Sequence, residues 1–402
     1  MSGRRAAAVV DAQEHPAPGR IHPVLLLGAL FLVSLNLRAA IASVPPLVAT
    51  IRRDLGLGGV AAGALTTLPV LCMGLFAPPA QRLAARIGRE RTVGLAMASL
   101  TGGLALRLIG ARLTLYLGTF LAGIGIATAG AVLPGVVKEF FADRGGMVSG
   151  LYLVAMSAGA AVGAGAAVPV ARAVGSWEVS LAAWTVPAAV GLIAWLFVLR
   201  VVEPHRGAPA AHGLPWRSRT AWLVSLFIGC QSILFYSELA WLAPAYEDRG
   251  WSASRAALLL ALFNIAQLFA ALIVPALSDR TPDPRPLIFF VVACSLFGLL
   301  TLVVAPESAP WVAVSVLGFG RGGGFGLGLT LLVAYAPDPA ASSRLSAMAF
   351  LVAYSIAATG PVLLGGLRDL TGSFTVPFLV LIAVDVMQLG LVARLRPGLR
   401  VG

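Results

Sequence analysis

Four side chains that carry a full charge lie inside long uncharged stretches of this sequence. Arg38 sits in "FLVSLNLRAAIASVPPLV" (31–48), Glu238 in "FYSELAW", Arg321 in "GFGRGGGFGLG" (318–328) and Asp385 in "LIAVDVMQL". A guanidinium stays protonated and presents a planar fork of donors, which suits a small planar anion or a polarised oxygen. A buried carboxylate can take up and release a proton as its surroundings change. Glu238 and Asp385 are therefore candidate proton-coupling residues, and either could neutralise Arg321 in the same half of the chain. Neutral polar and aromatic groups lie near these charges: Asn36 and Ser43 beside Arg38, and Gln231, Tyr236 and Trp241 around Glu238. They are candidate solute contacts, although Tyr and Trp at membrane depth also serve packing and interfacial belts.

The elements that must hold these residues follow from composition. Of 402 residues 58% are hydrophobic and only 11% are charged, against about 25% charged in a soluble domain. The mean hydropathy is +0.90. Uncharged runs recur at about the 20 residues that a helix needs to cross a bilayer core. A soluble fold could not cover that much apolar surface, so the expectation is an all-α membrane protein.

Charge-free runs between Gly, Pro and Arg punctuation predict twelve helices: 23–50, 57–80, 92–110, 113–137, 146–171, 179–200, 219–246, 254–277, 286–305, 309–335, 344–367 and 374–395. The division is a disordered cytosolic tail (1–21), a six-helix bundle (22–200), a cytosolic linker (201–218), a second six-helix bundle (219–396) and a short cytosolic tail (397–402). The N-terminal stretch lacks the apolar core of a signal peptide. With both termini in the cytosol, most of the 29 basic residues, including the clusters "RLAARIGRER" (82–91) and "RLRPGLR" (394–400), face the cytosol. The net charge of +12 then reports topology. The basic residues are spread over many loops instead of one groove, which argues against nucleic-acid binding.

Other chemistries find little support. Cys72, Cys230 and Cys294 fall in apolar runs and read as packing residues. The four histidines, at 15, 22, 205 and 212, lie in the tail, at its junction with the first span, or in the linker. No HExxH, metal cluster, nucleophile–base spacing or nucleotide-binding lysine loop is present. Neither an enzyme nor an ATP-driven pump is expected, and no cofactor or metal. The glycine run at 318–328 falls inside a span, so close helix packing is its reading.

The halves resemble each other at an offset near 194. "DLGLGG" (54–59) falls on "DRGWSA" (248–253), and "QRLAARIGRERT" (81–92) on "PALSDRTPDPRP" (275–286). "AGIGIATAG" (122–130) falls on "LGFGRGGGF" (317–325), and "VGSW" (174–177) on "TGSF" (371–374). Arg38 then overlays Ser232, and Arg321 overlays Ile126. Charges kept on one side only suit a site built from two unlike half-sites. Six plus six parallel repeats are a transporter architecture with the solute site between halves.

The segment "SDRTPDPR" (278–285) resembles the cytosolic loop after spans two and eight of the major facilitator superfamily. That resemblance implies a cytosolic gate formed by Arg86, Arg89, Arg91, Asp279 and Arg280; the first half departs from the pattern with Ala85 where an Asp is usual. "SLNLRAAIASVPPLV" (34–48), "GAVLPGVVKEFF" (130–141), "GCQSILFYSELAWLAP" (229–244) and "RLSAMAFLVAYSIAATGPVLLGGLRDLTGSF" (344–374) resemble one branch, the cyanate permease and 2-nitroimidazole transporter family. Phe350 and Arg321 depart from the residues usual there.

This resemblance implies alternating-access transport, with helices one, four, seven and ten lining a central cavity. Arg38, about 15 residues into its helix, lies roughly 22 Å along it. A lipid-facing arginine there costs about 2.5–3.5 kcal/mol, so it is expected to face the cavity and receive a cyanate-like, carboxylate or nitro group. The expected solute site is Arg38, Asn36, Ser43, Gln231, Tyr236, Trp241 and Arg321. Glu238, on a cavity helix, is the stronger coupling candidate and is expected to pair with Arg321. Asp385, on a peripheral helix, reads as more structural. Proton-coupled efflux of drugs or toxic compounds is the alternative function. The expected partners are a small solute and membrane lipids, with the monomer as the working unit in the plasma membrane.

Overall fold

The computed structural model describes residues 23–141, 145–202, 213–278, 280–281, 283–337, 339–396, 398 and 400–401. The chain runs α1 (Pro23–Ala42), α2 (Val48–Leu55), α3 (Gly59–Leu75), α4 (Ala77–Ile87), α5 (Arg89–Leu106), α6 (Arg112–Phe140), α7 (Gly145–Val174), α8 (Trp177–Ala183) and α9 (Thr185–Val201). It continues α10 (Arg219–Glu247), α11 (Ala253–Ser278), α12 (Arg285–Val304), α13 (Pro310–Ala334), α14 (Pro339–Thr371) and α15 (Thr375–Val392). Among the described residues there are helices and turns and no strands. Eleven segments are long and apolar enough to cross a membrane, and the pair α3–α4, bent by 51°, makes a twelfth.

The breaks have local causes. The first span stops at Ala42 and resumes as α2 after a 3₁₀ turn at Pro45–Leu47, where two prolines remove backbone donors. The guanidinium of Arg107, itself buried, donates to the freed carbonyl of Ala40 at 3.1 Å. The bend between α3 and α4 falls at Phe76, just ahead of Pro78 and Pro79 at the start of α4. Several helices outrun the uncharged stretches used to predict them. Span two runs on to Ile87, and α14 spans Pro339–Thr371. Arg, Glu and Gln are good helix formers, so a helix continues where its hydrophobicity ends.

Glycine conformation bears out the repeat. Gly56 (φ 59°) and Gly250 (φ 88°) end equivalent turns, as do Gly175 (φ 71°) and Gly372 (φ 70°). All four occupy the left-handed region, which a side chain disfavours.

The two repeats meet along α3 with α14 and along α7 with α11. On the first seam, an added Cβ at Gly59 would lie 2.3 Å from the Gly365 carbonyl oxygen, and at Gly63 2.3 Å from that of Pro361. Beyond them Thr67 donates to the Ala358 carbonyl at 2.7 Å. At the Gly59 end the Asp369 carboxylate accepts from the Gly59 backbone N–H and from Arg52 at 3.1 Å. A carboxylate at the first turn of α3 also meets the positive end of that helix.

The glycine run at 318–328 serves packing. Added Cβ atoms at Gly318 and Gly322 would lie 2.4 Å and 2.1 Å from α11 carbonyl oxygens, and at Gly320 2.5 Å from one on α12. At Gly324 the neighbour is the Gln231 side-chain amide, 2.1 Å away.

Among the gate residues, Arg89 pairs with Glu139 and donates to the Gly135 carbonyl, both within the first half. Arg86, Arg91 and Arg280 are exposed. Asp279 lies outside the described residues, as do the histidines and the first 21 residues.

Two predictions follow from these contacts. Gly59→Ala should force the α3–α14 seam apart at its Gly59 end by about 1–3 kcal/mol of overpacking. In a background without native cysteines, Leu364→Cys, next to Gly365 and buried in the parent, should then react faster with a maleimide; an unchanged rate counts against the contact. Gly322→Ala should lower the thermal unfolding temperature more than Gly324→Ala, because the Gln267 backbone cannot yield whereas the Gln231 side chain can. Scanning fluorimetry of the purified protein compares them directly.

Candidate solute-binding site

Helix α10 is buried along nearly its whole length, from Val224 through Tyr246. It stands at the centre of the molecule, and residues spaced along one side of it face two different environments. Gln231, Ser232, Phe235 and Tyr236 border a small cavity of about 10 Å³, room for about one water. Arg38 from α1, Gln267 from α11, Arg321 and Phe325 from α13 and Tyr354 from α14 complete the lining. A second cavity, also of about 10 Å³, shares Arg38, Phe235 and Tyr236 and adds Ala160 of α7 and Asn264 of α11.

Arg38 thus lies between two cavities, half-buried, with its guanidinium 5.2 Å from the centre of the Phe235 ring. Among the described residues no carboxylate pairs with it. The aromatic surround is continuous. Phe235 stacks on Phe263 with centroids 5.9 Å apart, Tyr236 meets Tyr354 edge-on at 6.3 Å, and Tyr354 stacks on Phe350 at 5.9 Å. Tyr236 donates its hydroxyl to the Met73 sulfur of α3, 3.4 Å away. Gln231 is 1% exposed, and both its amide nitrogen and its amide oxygen lack a partner. A buried amide with neither end satisfied is costly and is a natural contact for a solute or a water.

Gln231 and Glu238 are seven residues apart, about two helical turns, and so share a face of α10. Glu238 meets the second arginine. The Nε of Arg321 donates to both Glu238 oxygens at 3.0 Å and 2.9 Å, and its Nη2 to one of them at 2.8 Å. The same guanidinium donates to the two oxygens of Asp385 at 3.1 Å each. All three side chains are fully buried. Arg321 borders the cavity, yet its fork is taken up by two carboxylates.

The structure therefore brings Arg38, Gln231, Tyr236 and Arg321 to one cavity. It places the other expected contacts elsewhere. Asn36 donates to the carbonyls of Leu32 and Pro187, against α9 of its own half. Ser43 is buried where α1 ends, its hydroxyl without a partner. Trp241 donates to the Pro361 carbonyl at 2.8 Å and packs on Phe374. These positions differ from expectation because α1 and α10 pack on several sides, and one helical residue step turns a side chain by about 100°. Asp385 is less peripheral than its helix order implied, since α15 lies against α10. The expected fourth lining helix, α6, contributes none of the described lining residues; α11 and α14 do.

Phe235, Ser232, Gln267, Phe325 and Tyr354 are additions. Ser232 was legible as the repeat partner of Arg38, and Gln267 as a polar residue inside an apolar span. The aromatic positions carry no such mark, since apolar spans are full of aromatics.

The Major Facilitator Superfamily family model matches residues 26–361. The 2-nitroimidazole transporter of Escherichia coli (strain K12) is 31% identical over 89% of this chain and 91% of its own. The cyanate transport protein CynX of the same organism is 30% identical over 87% of this chain and 91% of its own. Among solved structures, a D-xylose-proton symporter superposes with a TM-score of 0.73 at 14% identity, covering 94% of this chain and 98% of that one. A twelve-span helical repeat with a buried polar cavity, matched over most of its length by these proteins, belongs to the major facilitator superfamily, in the branch of the cyanate and 2-nitroimidazole transporters, and is a multi-pass membrane transporter and not an enzyme.

Proposed function

We propose that the protein moves a small anionic or strongly polar planar solute by alternating access, with Arg38 as the fixed charge that receives it. The observation that carries this reading is the contrast between the two embedded arginines. Arg321 is bonded to two carboxylates, whereas Arg38 borders the cavity with no acidic partner among the described residues. An unpaired guanidinium in a low-dielectric cavity favours an anion. The faces of Phe235, Tyr236 and Tyr354 suit a flat solute, and the unsatisfied Gln231 amide offers it a donor and an acceptor. Cyanate and 2-nitroimidazole, after which two relatives are named, are both small, flat and oxygen- or nitrogen-rich. A pump for cationic drugs would need a free acid where this cavity presents a free arginine.

The positive-inside rule supports cytosolic termini and a plasma-membrane location. In that orientation the seam at Gly59, Gly365 and Asp369 closes the outer side. We further propose that 22–200 and 219–396 are the two rocking units, joined by 201–218, and that the monomer is the transporting unit.

The test is an uptake and thermal-shift screen in proteoliposomes and detergent, with cyanate, benzoate and 2-nitroimidazole. Arg38→Lys keeps the charge and loses the planar fork. It should reduce uptake at limiting solute by about ten- to hundred-fold, the ~1.5–3 kcal/mol of a charge-assisted hydrogen bond. Wild-type uptake in Arg38→Lys would remove Arg38 from the site.

A further inference from the structure

The embedded charges allow one more step, which rests on the reading of Arg38 as the anion site. The cavity and the second-half core it borders hold two guanidiniums, Arg38 and Arg321, and two carboxylates, Glu238 and Asp385; a third buried guanidinium, Arg107, stands outside this set, on the Ala40 carbonyl in the first half. With all four ionised and no solute bound, they sum to zero. They are not distributed evenly. Both carboxylates bond Arg321, so that cluster carries one negative charge in excess, and Arg38 across the cavity carries the balancing positive charge. A monovalent anion on Arg38 uses up that balance. One negative charge is then left uncompensated in a low-dielectric core, and a buried carboxylate relieves such a charge by taking a proton.

We propose that Glu238 and Asp385 share one exchangeable proton, taken up as a monovalent anion binds Arg38, so that solute and proton cross together without net charge. The proton adds to a carboxylate oxygen of either residue. The other carboxylate stays in a one-to-one ion pair with Arg321, so the bonds to the guanidinium survive in part in both states. When the anion leaves on the far side, the proton leaves the carboxyl oxygen and the cluster regains its excess charge. Two carboxylates on one counter-charge titrate as a unit, and the proton belongs to the pair.

The surroundings leave this balance to the four residues. Arg321 is the charged group that α13 brings to the pair. The mid-length stretches of α3, α11, α12 and α14 carry no charged residue. α10 adds the buried thiol of Cys230 and the hydroxyl of Tyr236, α12 the half-buried thiol of Cys294, and α14 the hydroxyl of Tyr354 at the cavity. Arg52, Arg53, Asp54, Asp248, Arg255, Arg368 and Asp369 lie at one set of helix ends, and Arg285 and Arg344 at the other. The arrangement differs from a simple substrate arginine at position 321, since a solute on that guanidinium would have to strip a carboxylate from it.

The test uses the full-length protein with cyanate and benzoate as probes. On mixing with saturating probe in weak buffer, the wild-type protein should take up one proton per anion bound, read with an indicator dye. In proteoliposomes, accumulation should reach about tenfold per unit of pH gradient, acid on the donor side. It should not respond to an imposed membrane potential. Glu238→Gln and Asp385→Asn each remove one negative charge, so binding then needs no proton. Each variant should lose pH-driven accumulation and bind probe without taking up a proton, and the uptake it retains should be driven by a potential positive inside.

Wild-type uptake that follows voltage and ignores the pH gradient, or exchange without proton uptake, overturns the shared proton while leaving the Arg38 reading in place. Failure of the wild type to bind either probe removes the Arg38 reading and this inference with it. If neither variant folds, the wild-type proton count and voltage response decide the matter alone.

Discussion

A charge in the middle of a membrane protein must find an opposite charge or water, and Arg321 shows how far this constraint reaches. Its guanidinium is held by Glu238 from α10 and Asp385 from α15, and all three side chains are sealed. Three helices are thereby tied at mid-length in the second half. Removing Arg321 would strand both carboxylates, and stranding one partner of a buried charge pair costs about 3–5 kcal/mol. The cluster thus fixes α10, and α10 supplies four of the residues around the cavity. Whatever moves during transport must move around this knot or change its protonation.

Close approach of backbones does the rest. With little hydrophobic drive between helices in lipid, association depends on packing and on small residues that let helices touch. Glycines at 318, 320 and 322 bring α13 against α11 and α12, and Gly59 and Gly63 bring α3 against α14. The first set is internal to one half and holds Arg321 in place. The second set joins the halves and is complemented by Asp369, whose contacts to Gly59 and Arg52 lie at the helix ends, where charges meet water. A tight seam of glycines with a polar clasp at its end can separate without stranding a buried charge.

The repeat explains why the cavity is lopsided. Positions 38 and 232 are equivalent in the two halves, and both border the cavity, one as an arginine and the other as a serine. Equivalent backbone turns at Gly56 and Gly250 show that the scaffold has kept its symmetry. The chemistry has not: one half presents a bare positive charge, and the other presents aromatic rings, an unsatisfied amide and a guanidinium already spoken for.

The sequence by itself determined the membrane class, the twelve spans, the repeat and the four embedded charges. Hydrophobic run length and charge placement are local properties, and lipid enforces them one segment at a time. It also marked Glu238 and Arg321 as partners, because two opposite charges in one half of a lipid-embedded bundle have few alternatives. Tertiary structure alone decided that Asp385 joins them, that Asn36 and Trp241 turn to carbonyls of neighbouring helices, and that α11 and α14 border the cavity. In helices that are apolar on nearly every side, no hydrophobic stripe shows which face meets the cavity. The facing is set by where glycines let neighbours approach and by which polar groups then find each other, and both depend on residues far apart in the chain.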